Sequence, residues 1–295
     1  MARVSSGNKK ERFKFISLHG DELGVRYLCK WLDVSPSGFY DWKDRDLSQR
    51  DHANQDLLEK IKRVYYESNR AYGSPRVHAQ LCREGETVSL GRIERLMSKA
   101  GLVGRAAIVY RRKPLTEPHY KSLPNLRLEK PMPTRIDQQW VADVTYLKVD
   151  GEWRYLAVVM DLYSRRIIGW KLDKHRTADV TLAVLRQALA DRDVRPGLIF
   201  HTDQGVEYRA WLILDELKEY GMLSSMNRAG SVTDNAHMES FFRSMKAEVI
   251  KDVEFKTEDE LRTVLSNYID GFYNTKRLHS GLDYKTPIEC DKIAA

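Results

Sequence analysis

Three acidic residues stand at positions where a carboxylate must be paired or must bind a cation. Asp143 interrupts the apolar and aromatic stretch 140–146, where burial of an unpaired charge would be costly. Asp203 directly follows the apolar run 198–200, at the carboxyl end of a predicted strand, where α/β sheets commonly bind ligands. Glu239 belongs to an amphipathic helical pattern. Mg²⁺ prefers such oxygen ligands, so the three acids together would form a divalent-metal site, although each alone could be an ordinary salt-bridged or solvated residue.

The helix that carries Glu239 is predicted to have an apolar and a polar face. Its apolar positions recur at helical spacing and should pack on a sheet: Met238, Phe242, Met245 and Val249. Its polar side carries Asn235, Glu239, Arg243 and Lys246. Because Glu239 and Lys246 are two turns apart on one face, the helix can present a carboxylate to a metal and an ammonium to a phosphate. Asn235 either orients Glu239 or caps the helix.

The segments around these acids predict an α/β core. Strands are predicted at 139–148, 152–161 and 166–172, and the first two are joined by the hairpin signal Val149-Asp150-Gly151. Helices at 178–191 and 208–220 then alternate with strands at 198–201 and 223–227, and further helices follow Asp234 and Thr257. This order indicates a mixed sheet covered by helices. His201 and His279 are predicted to be hydrogen-bonding structural residues, and Trp140, Trp170, Phe241 and Phe242 to be core residues.

The N-terminal third of the chain contains two candidate helix-turn-helix units. In the first, a short helix is predicted from the apolar spacing of Val25, Leu28, Cys29 and Leu32. Ser35-Pro36 begins the next helix, with Val34 and Phe39 spaced as a hydrophobic staple. In the second unit, one helix begins at Ser74-Pro75 and ends at Gly85, and another begins at Val88-Ser89 and ends at Gly101.

The last of these helices is predicted to be amphipathic. Its inward positions are Leu90, Ile93, Leu96, Met97 and Ala100, and its opposite face carries Arg92, Arg95 and Lys99. A basic face opposite an apolar one, after a tight turn, is typical of a DNA-recognition helix. It is equally typical of the solvated face of an ordinary helical bundle.

Composition excludes several classes of protein. Of 295 residues, 42% are hydrophobic and 31% charged, and no apolar run approaches the ~20 residues that a bilayer span needs. The first fifteen residues lack the apolar core of a secretory signal, so we expect a cytoplasmic protein with no membrane partner. Three cysteines that never occur as C-x-x-C argue against disulfides and structural zinc, and are predicted to be small buried residues: Cys29, Cys82 and Cys290.

The net charge of +7 is unevenly distributed. Residues 1–135 carry 27 Lys and Arg against 16 Asp and Glu, a net +11, whereas residues 136–295 carry 22 against 26, a net −4. Residues 1–135 are therefore expected to bind a polyanion. Residues 102–135 hold five of the nine prolines and the basic cluster Arg111-Arg112-Lys113, which predicts an extended linker that follows phosphates.

The spacing of the acids resembles a known catalytic triad. Asp203 and Glu239 are separated by 35 residues and Lys246 follows seven residues later, as in the D, D(35)E triad and trailing basic residue of the retroviral-integrase-like transposase core. The neighbouring residues that carry the resemblance are Trp140-x-x-Asp143-x-Thr145-Tyr146, His201-x-Asp203-x-Gly205, Asp234-Asn235-Ala236-x-x-Glu239-Ser240-Phe241-Phe242, Tyr273-Asn274-x-x-Arg277-x-His279-Ser280-x-Leu282-x-x-x-Thr286-Pro287, Tyr72-Gly73-Ser74-Pro75-Arg76 and Arg92-x-x-Arg95-Leu96-Met97-x-x-x-Gly101-Leu102. Over about residues 25–290 the chain thus resembles OrfB-type transposases of the insertion-sequence-three family. Glu207 departs from that pattern, since relatives often carry an uncharged polar residue there, and the loop 229–233 lacks the family's usual lysine and aromatic residue.

The resemblance implies a fold and a reaction. It implies an RNase H-like mixed-sheet catalytic core at 136–295, preceded by all-α helix-turn-helix segments at 1–50 and 51–104 and by the basic, Pro-rich linker at 105–135. Asp143, Asp203 and Glu239 would be both catalytic and metal-binding, with Mg²⁺ or Mn²⁺ as the cofactor. DNA cleavage and joining are in-line displacements at phosphorus, in which two ions about 3.5–4 Å apart stabilise the attacking and leaving oxygens. We expect cleavage to release a 3′-hydroxyl, which then attacks another phosphodiester.

The expected partner is double-stranded DNA, both the terminal inverted repeats of an element and the target. Its contacts are predicted to be Lys246, Arg243, Arg92, Arg95, Lys99, Arg111, Arg112 and Lys113. We also expect a homo-oligomer on DNA at the bacterial nucleoid, and the resemblance adds a possible upstream-frame product as a partner. Two alternatives are a non-catalytic helix-turn-helix regulator, against which the intact triad speaks, and a structure-specific RNase H-like nuclease.

Overall fold

A computed structural model describes residues 8–44, 49–105, 123–128, 130–228 and 231–294. The chain divides into two compact units, residues 1–59 and 60–295. The first unit contains α1 (Lys9–Leu23), α2 (Val25–Trp31), α3 (Pro36–Lys43) and the beginning of α4 (Gln49–Glu67). The basic cluster at 111–113 lies outside the described residues.

The predicted helices of the first unit are confirmed. α2 buries Leu28 and Cys29, and α3 begins after Ser35, whose hydroxyl accepts the Gly38 N–H at 3.1 Å. α1, for which no prediction was made, begins with a reciprocal capping box between Asn8 and Glu11. Its buried residues join those of α2 and α3 in a small core: Phe13, Ile16, Leu28, Cys29, Leu32 and Phe39.

In the second unit, α5 (Ser74–Arg83) and α6 (Leu90–Lys99) are the second predicted pair of helices. Ile93 and Met97 of α6 are buried as expected, but Leu90 and Ala100 are exposed. Leu90 is the first residue of α6 and Ala100 lies beyond its end, so neither lies within the packed part of the helix. The prediction of three buried cysteines is also wrong, since Cys82 near the end of α5 is exposed and Cys290 is only half-buried.

The core of the second unit is a five-stranded sheet in the order β3-β2-β1-β4-β5. The strands are β1 (Gln139–Val149), β2 (Glu152–Asp161), β3 (Ile167–Asp173), β4 (Ile199–Thr202) and β5 (Leu223–Met226). The first three form an antiparallel meander, and β4 and β5 add in parallel beside β1. The predicted hairpin is confirmed: Val149 pairs with Glu152, and Asp150 and Gly151 both have positive φ, which glycine adopts readily.

Helices cover both faces of the sheet. One layer contains α7 (Ala178–Ala190) and α8 (Trp211–Glu219), and the other contains α9 (Ala236–Met245) and α10 (Glu258–Tyr268). The predicted helix 208–220 is in fact a 3₁₀ turn, Val206–Arg209, followed by α8, because Ala210 has an extended backbone. Both α9 and α10 continue into π-helical turns, Lys246–Ile250 and Ile269–Tyr273, and a 3₁₀ turn (Ser280–Leu282) precedes α11 (Pro287–Ala294).

The two faces of β1 enter different cores. Val141 and Leu147 pack with the α9 and α10 layer, whereas Trp140 and Ala142 pack with the α7 and α8 layer. This alternation follows from the two-residue period of a strand. Within the described ranges, no helix has the length and apolar content needed to cross a membrane.

Candidate active site

Asp143 lies in β1, and Asp203 directly follows β4, the parallel neighbour of β1. The pairing of β1 with β4 aligns Val141 with His201. Continued by two residues, the same register aligns Asp143 with Asp203, and adjacent strands are about 4.8 Å apart. The two carboxylates therefore belong to the same end of the sheet, where β4 stops and β1 continues.

Each of these aspartates makes local contacts. Oδ1 of Asp143 accepts the Val144 N–H at 2.7 Å. Oδ1 of Asp203 accepts the Gly205 N–H at 2.9 Å, and its Oδ2 lies 3.5 Å from Nη2 of Arg176. Both oxygens of Asp203 are thus engaged by groups of the protein, while its side chain keeps 35% of its exposure.

The N-terminus of α9, the helix that carries Glu239, contacts this end of the sheet. Asn235, at the N-terminus of α9, donates from Nδ2 to the Ala142 carbonyl at 3.1 Å, next to Asp143. Val141 packs against the α9 layer. Asp143 is two residues further along β1 and so lies on the same face of the sheet, the face that α9 covers. Glu239 lies about one turn beyond Asn235 and is half-buried.

Asn235 does not cap α9 with its side chain, which excludes one of its two predicted roles. Its Nδ2 joins the helix to β1, and its buried Oδ1 has no hydrogen-bond partner among the described residues. The preceding residue, Asp234, accepts hydrogen bonds from Asn125, Arg228 and Ser231. Although burial opposes its charge, these bonds hold the pKa of Asp234 well below its ordinary value. Asp234 therefore fixes the chain that leads into α9.

The described residues contain no group of three or more His, Cys, Asp or Glu side chains placed to hold a metal ion. Asp143, Asp203 and Glu239 nevertheless supply the carboxylate oxygens that Mg²⁺ prefers. The chemistry of these three carboxylates fits a divalent cation, but their side chains are not placed close enough together to hold one ion. The contacts of Asp203 with Arg176 and Gly205 give one physical reason.

A buried ion pair adjoins Asp203. The Glu207 side chain is 2% exposed, and its Oε1 accepts hydrogen bonds from Arg176 at 2.6 Å. A Cβ atom on Gly205 would lie 2.6 Å from Oε1 of Glu207 and 2.8 Å from Oδ1 of Asp203, so only glycine fits between the two carboxylates. Burial, together with the charges of Asp143, Asp203 and Glu207, raises the pKa of Tyr208 well above its ordinary value. Three carboxylates thus act on Tyr208, and Arg176 opposes their effect.

The predicted basic residues of α9 lie beside β1. Nζ of Lys246 is 4.9 Å from the centre of the Tyr146 ring, and the Lys246 side chain is half-buried. Arg243, one turn earlier, is also half-buried. Because the π-helical turn begins at Lys246, the α-helical spacing from Glu239 ends at this residue. Lys246 thus contacts β1 three residues beyond Asp143.

The basic residues predicted on α6 differ in exposure. Arg95 and Lys99 are exposed, and Arg92 is half-buried. Nε of Arg95 donates to the Gly91 carbonyl at 3.1 Å, one turn back in the same helix. Arg111, Arg112 and Lys113 lie outside the described residues.

The two histidines have different surroundings. His201 is fully buried and contacts Ser225 at 2.8 Å and Asn227 at 2.7 Å, which confirms its predicted structural role. The prediction for His279 is wrong in one respect, because its buried Nε2 has no hydrogen-bond partner within the described ranges. Its ring instead packs edge-on against Tyr273 at 4.8 Å. This edge contact explains why it tolerates burial without a bond at Nε2.

Sequence reasoning missed the role of two residues at the site. Arg176 received no prediction, and Glu207 stood out only as a departure from the family pattern. The signal that could have revealed Glu207 was its residue type. A carboxylate four positions after Asp203, close to a buried strand end, requires a partner of opposite charge. The partner's position, 31 residues earlier in the chain, has no signature in local spacing.

The sheet order and its helix layers define an RNase H-like integrase core. A family model described as an integrase core domain matches residues 133–232, a second of the same description matches 220–287, and one described as an HTH-like domain matches 52–113. The transposase for insertion sequence element IS904 of Lactococcus lactis is 37% identical over 242 residues, covering 80% of this chain and 93% of the relative. Transposase InsF for insertion sequence IS3A of Escherichia coli is 32% identical over 283 residues, covering 91% and 94%.

The solved structures that this chain matches include retroviral integrases. The catalytic core domain of HTLV-2 integrase, in complex with magnesium, is 16% identical with a TM-score of 0.41, and the match covers 54% of this chain and 98% of that one. The core domain of BIV integrase is 20% identical with a TM-score of 0.39, covering 52% and 92%. On the identity and coverage of the insertion-sequence relatives, the chain belongs to the IS3 family of transposases and is a DDE-type polynucleotidyl transferase.

Proposed function

We propose that Asp143, Asp203 and Glu239 are the catalytic acids with which this transposase cleaves and joins DNA strands at the ends of an insertion sequence. The observation that carries the proposal is the β1–β4 register, in which Val141 pairs with His201; continued by two residues beyond the paired positions, that register would bring Asp143 beside Asp203. The Asn235 bond to Ala142 supports a place for Glu239 beside them, because it fixes α9 against β1 at that point.

The three acids would hold Mg²⁺ or Mn²⁺, and a pair of such ions would stabilise the charge on the attacking and leaving oxygens of a phosphodiester. The chain's own contribution is to orient the carboxylates: Gly205 holds one oxygen of Asp203, and the backbone of Val144 holds one of Asp143. Lys246, beside the same segment of β1, is proposed to bind a DNA phosphate.

The remaining proposals concern DNA binding and organisation. Arg95 and Lys99 on the exposed face of α6, with Arg92, Arg243 and the cluster 111–113, are proposed to contact terminal repeats or target DNA. We propose the organisation predicted above: helix-turn-helix segments at 1–50 and 51–104, a linker at 105–135 and the catalytic core from 136. We further propose a homo-oligomer on DNA, possible use of an upstream-frame product, and action at the nucleoid in the cytoplasm.

A strand-transfer assay tests the assignment of the acids. The full chain would be incubated with Mg²⁺ or Mn²⁺ and an oligonucleotide duplex that carries an end of the element, with Asp143→Asn, Asp203→Asn and Glu239→Gln as variants. We expect each variant to lose at least about a hundredfold in nicking and transfer, since each removes charge stabilisation from the transition state. The matched control Asp215→Asn, an exposed acid on α8, should behave like wild type.

A regulator without catalytic activity would yield no product even from the wild-type chain. A nuclease on the same fold would yield nicked but not joined strands. Product analysis in this assay therefore separates the proposed transposase from both alternatives.

A further inference from the structure

We propose that Arg176, held in place by Glu207, is a positioning residue that competes with divalent cations for Asp203. The inference rests on the proposed function of Asp203 as a metal ligand and adds two residues that regulate its access to metal.

The contacts describe a chain of three charged groups. Nη2 of Arg176 lies 2.6 Å from Oε1 of Glu207 and 3.5 Å from Oδ2 of Asp203. The shorter bond goes to Glu207, so Glu207 is the anchor of the guanidinium and Asp203 its second partner. Because one guanidinium lies within ion-pair distance of both carboxylates, it offsets the repulsion between them across Gly205.

Burial makes the arrangement persistent. The Glu207 side chain is 2% exposed, and a buried carboxylate without a counter-ion is strongly disfavoured. The Arg176 side chain keeps 39% exposure, so its outer edge remains in solvent. Burial opposes the charge of Arg176, but Glu207 and Asp203 more than offset it and raise its pKa above the ordinary value. Because an arginine guanidinium does not deprotonate in proteins, Arg176 stays charged.

This geometry has a consequence for metal binding. A divalent cation that binds Oδ2 of Asp203 must compete with a guanidinium whose nitrogen lies 3.5 Å from the same oxygen. When it does so, Arg176 keeps its shorter bond to Glu207 and therefore remains beside the site. Glu207 thus has two effects: it retains the competitor near Asp203, and it adds a negative charge that attracts a cation.

The test is Mn²⁺ binding to the full chain, measured by electron paramagnetic resonance of free Mn²⁺ in a titration without DNA. The double variant Arg176→Met with Glu207→Gln removes the competitor and leaves no buried charge behind, so its dissociation constant should fall about fivefold. Glu207→Gln alone leaves the competitor, removes an attracting charge and should raise the dissociation constant by a similar factor. If Arg176 and Glu207 had only a structural role, the two variants would not shift the Mn²⁺ dissociation constant in opposite directions.

A matched control is available in the chain. Arg186 and Glu216 form an ion pair at 2.7 Å between α7 and α8, with an exposed arginine and a glutamate side chain 8% exposed. The corresponding double variant, Arg186→Met with Glu216→Gln, should leave Mn²⁺ binding within twofold of wild type. Thermal unfolding of all variants would confirm that each is folded at the titration temperature.

The outcomes separate the inference from the proposed function. If Asp203→Asn abolishes Mn²⁺ binding but the Arg176 and Glu207 double variant does not lower the dissociation constant, the competition is refuted and the metal site stands. If Asp203→Asn binds Mn²⁺ like wild type, the proposed function itself is wrong and the inference falls with it.

Discussion

Glu248→Gln should strongly destabilise the second unit, because it removes one partner of a buried ion pair. The side chains of Glu248 and Arg277 are 5% and 4% exposed, and they are 2.7 Å apart. Tyr268 also donates its hydroxyl to Glu248 at 2.7 Å. Burial opposes the charge of Arg277, but Glu248 more than offsets this and raises the pKa of Arg277 above its ordinary value.

The expected cost follows from the charge left behind. Breaking a buried pair by removing one partner costs about 3–5 kcal/mol, because the remaining charge is uncompensated. For a unit of this size, that corresponds to a fall in Tm of roughly 6–20 °C. The loss should also reach the HTH-like segment, since the Tyr72 hydroxyl donates to the Lys276 carbonyl and Nε of Arg76 donates to the Leu278 carbonyl, on either side of Arg277.

Urea unfolding followed by circular dichroism measures this cost. The control is Arg83→Met, which breaks the Arg83–Glu289 pair, in which both side chains are about 40% exposed, and should cost less than about 1 kcal/mol. The double variant Glu248→Gln with Arg277→Met removes both charges, keeps an acceptor for Tyr268, and should recover at least half of the loss. If Glu248→Gln costs no more than the control, the argument from burial is wrong.

Two further predictions concern pH and DNA. Burial and neighbouring arginines lower the pKa of His279 to about 2. Below about pH 6.5 this histidine therefore takes up a proton in the unfolded chain but not in the folded one. Its contribution should lower the free energy of unfolding by about 2 kcal/mol from pH 6.5 to 5. His279→Gln should reduce the slope of that part of the stability curve, the remainder coming from His201 and His237, whose pKa values burial lowers to about 4. His175→Gln, at an exposed site, should leave the slope unchanged. Replacing Arg95 and Lys99 by alanine should reduce the salt slope of DNA binding by about two, measured by fluorescence anisotropy between 50 and 200 mM salt. The control variant Lys218→Ala on α8 should not change the slope. If it reduced the slope as much as the α6 variant does, the effect would not be specific to α6, and the place of α6 in the interface would be refuted.

Much of the sheet could be predicted from the sequence. β2 begins and ends where the pattern placed it, because a two-residue turn at Asp150-Gly151 fixes the register of the hairpin. The faces of α9 were also predictable, since Met238 and Met245 recur at helical spacing and are fully buried. Local signals of this kind need no knowledge of the distant chain.

The remainder depends on tertiary contacts. α1 was missed because its buried Phe13 and Ile16 lie among charged residues, and their partners come from α2 and α3. The engagement of Asp203 could not be predicted either, since Arg176 reaches it only after β4 has been placed beside β1. The three acids could therefore be proposed from the sequence, whereas the contacts of their carboxylates required the structure.

We propose that Asp143, Asp203 and Glu239 together form one divalent-metal site. Its most direct test is the number of Mn²⁺ ions bound by the full chain with an element-end duplex, determined by electron paramagnetic resonance for wild type and for each of the three single variants. We expect two ions on the wild-type complex and the loss of at least one ion in each of Asp143→Asn, Asp203→Asn and Glu239→Gln. Wild-type stoichiometry and affinity in any one of these variants would contradict it.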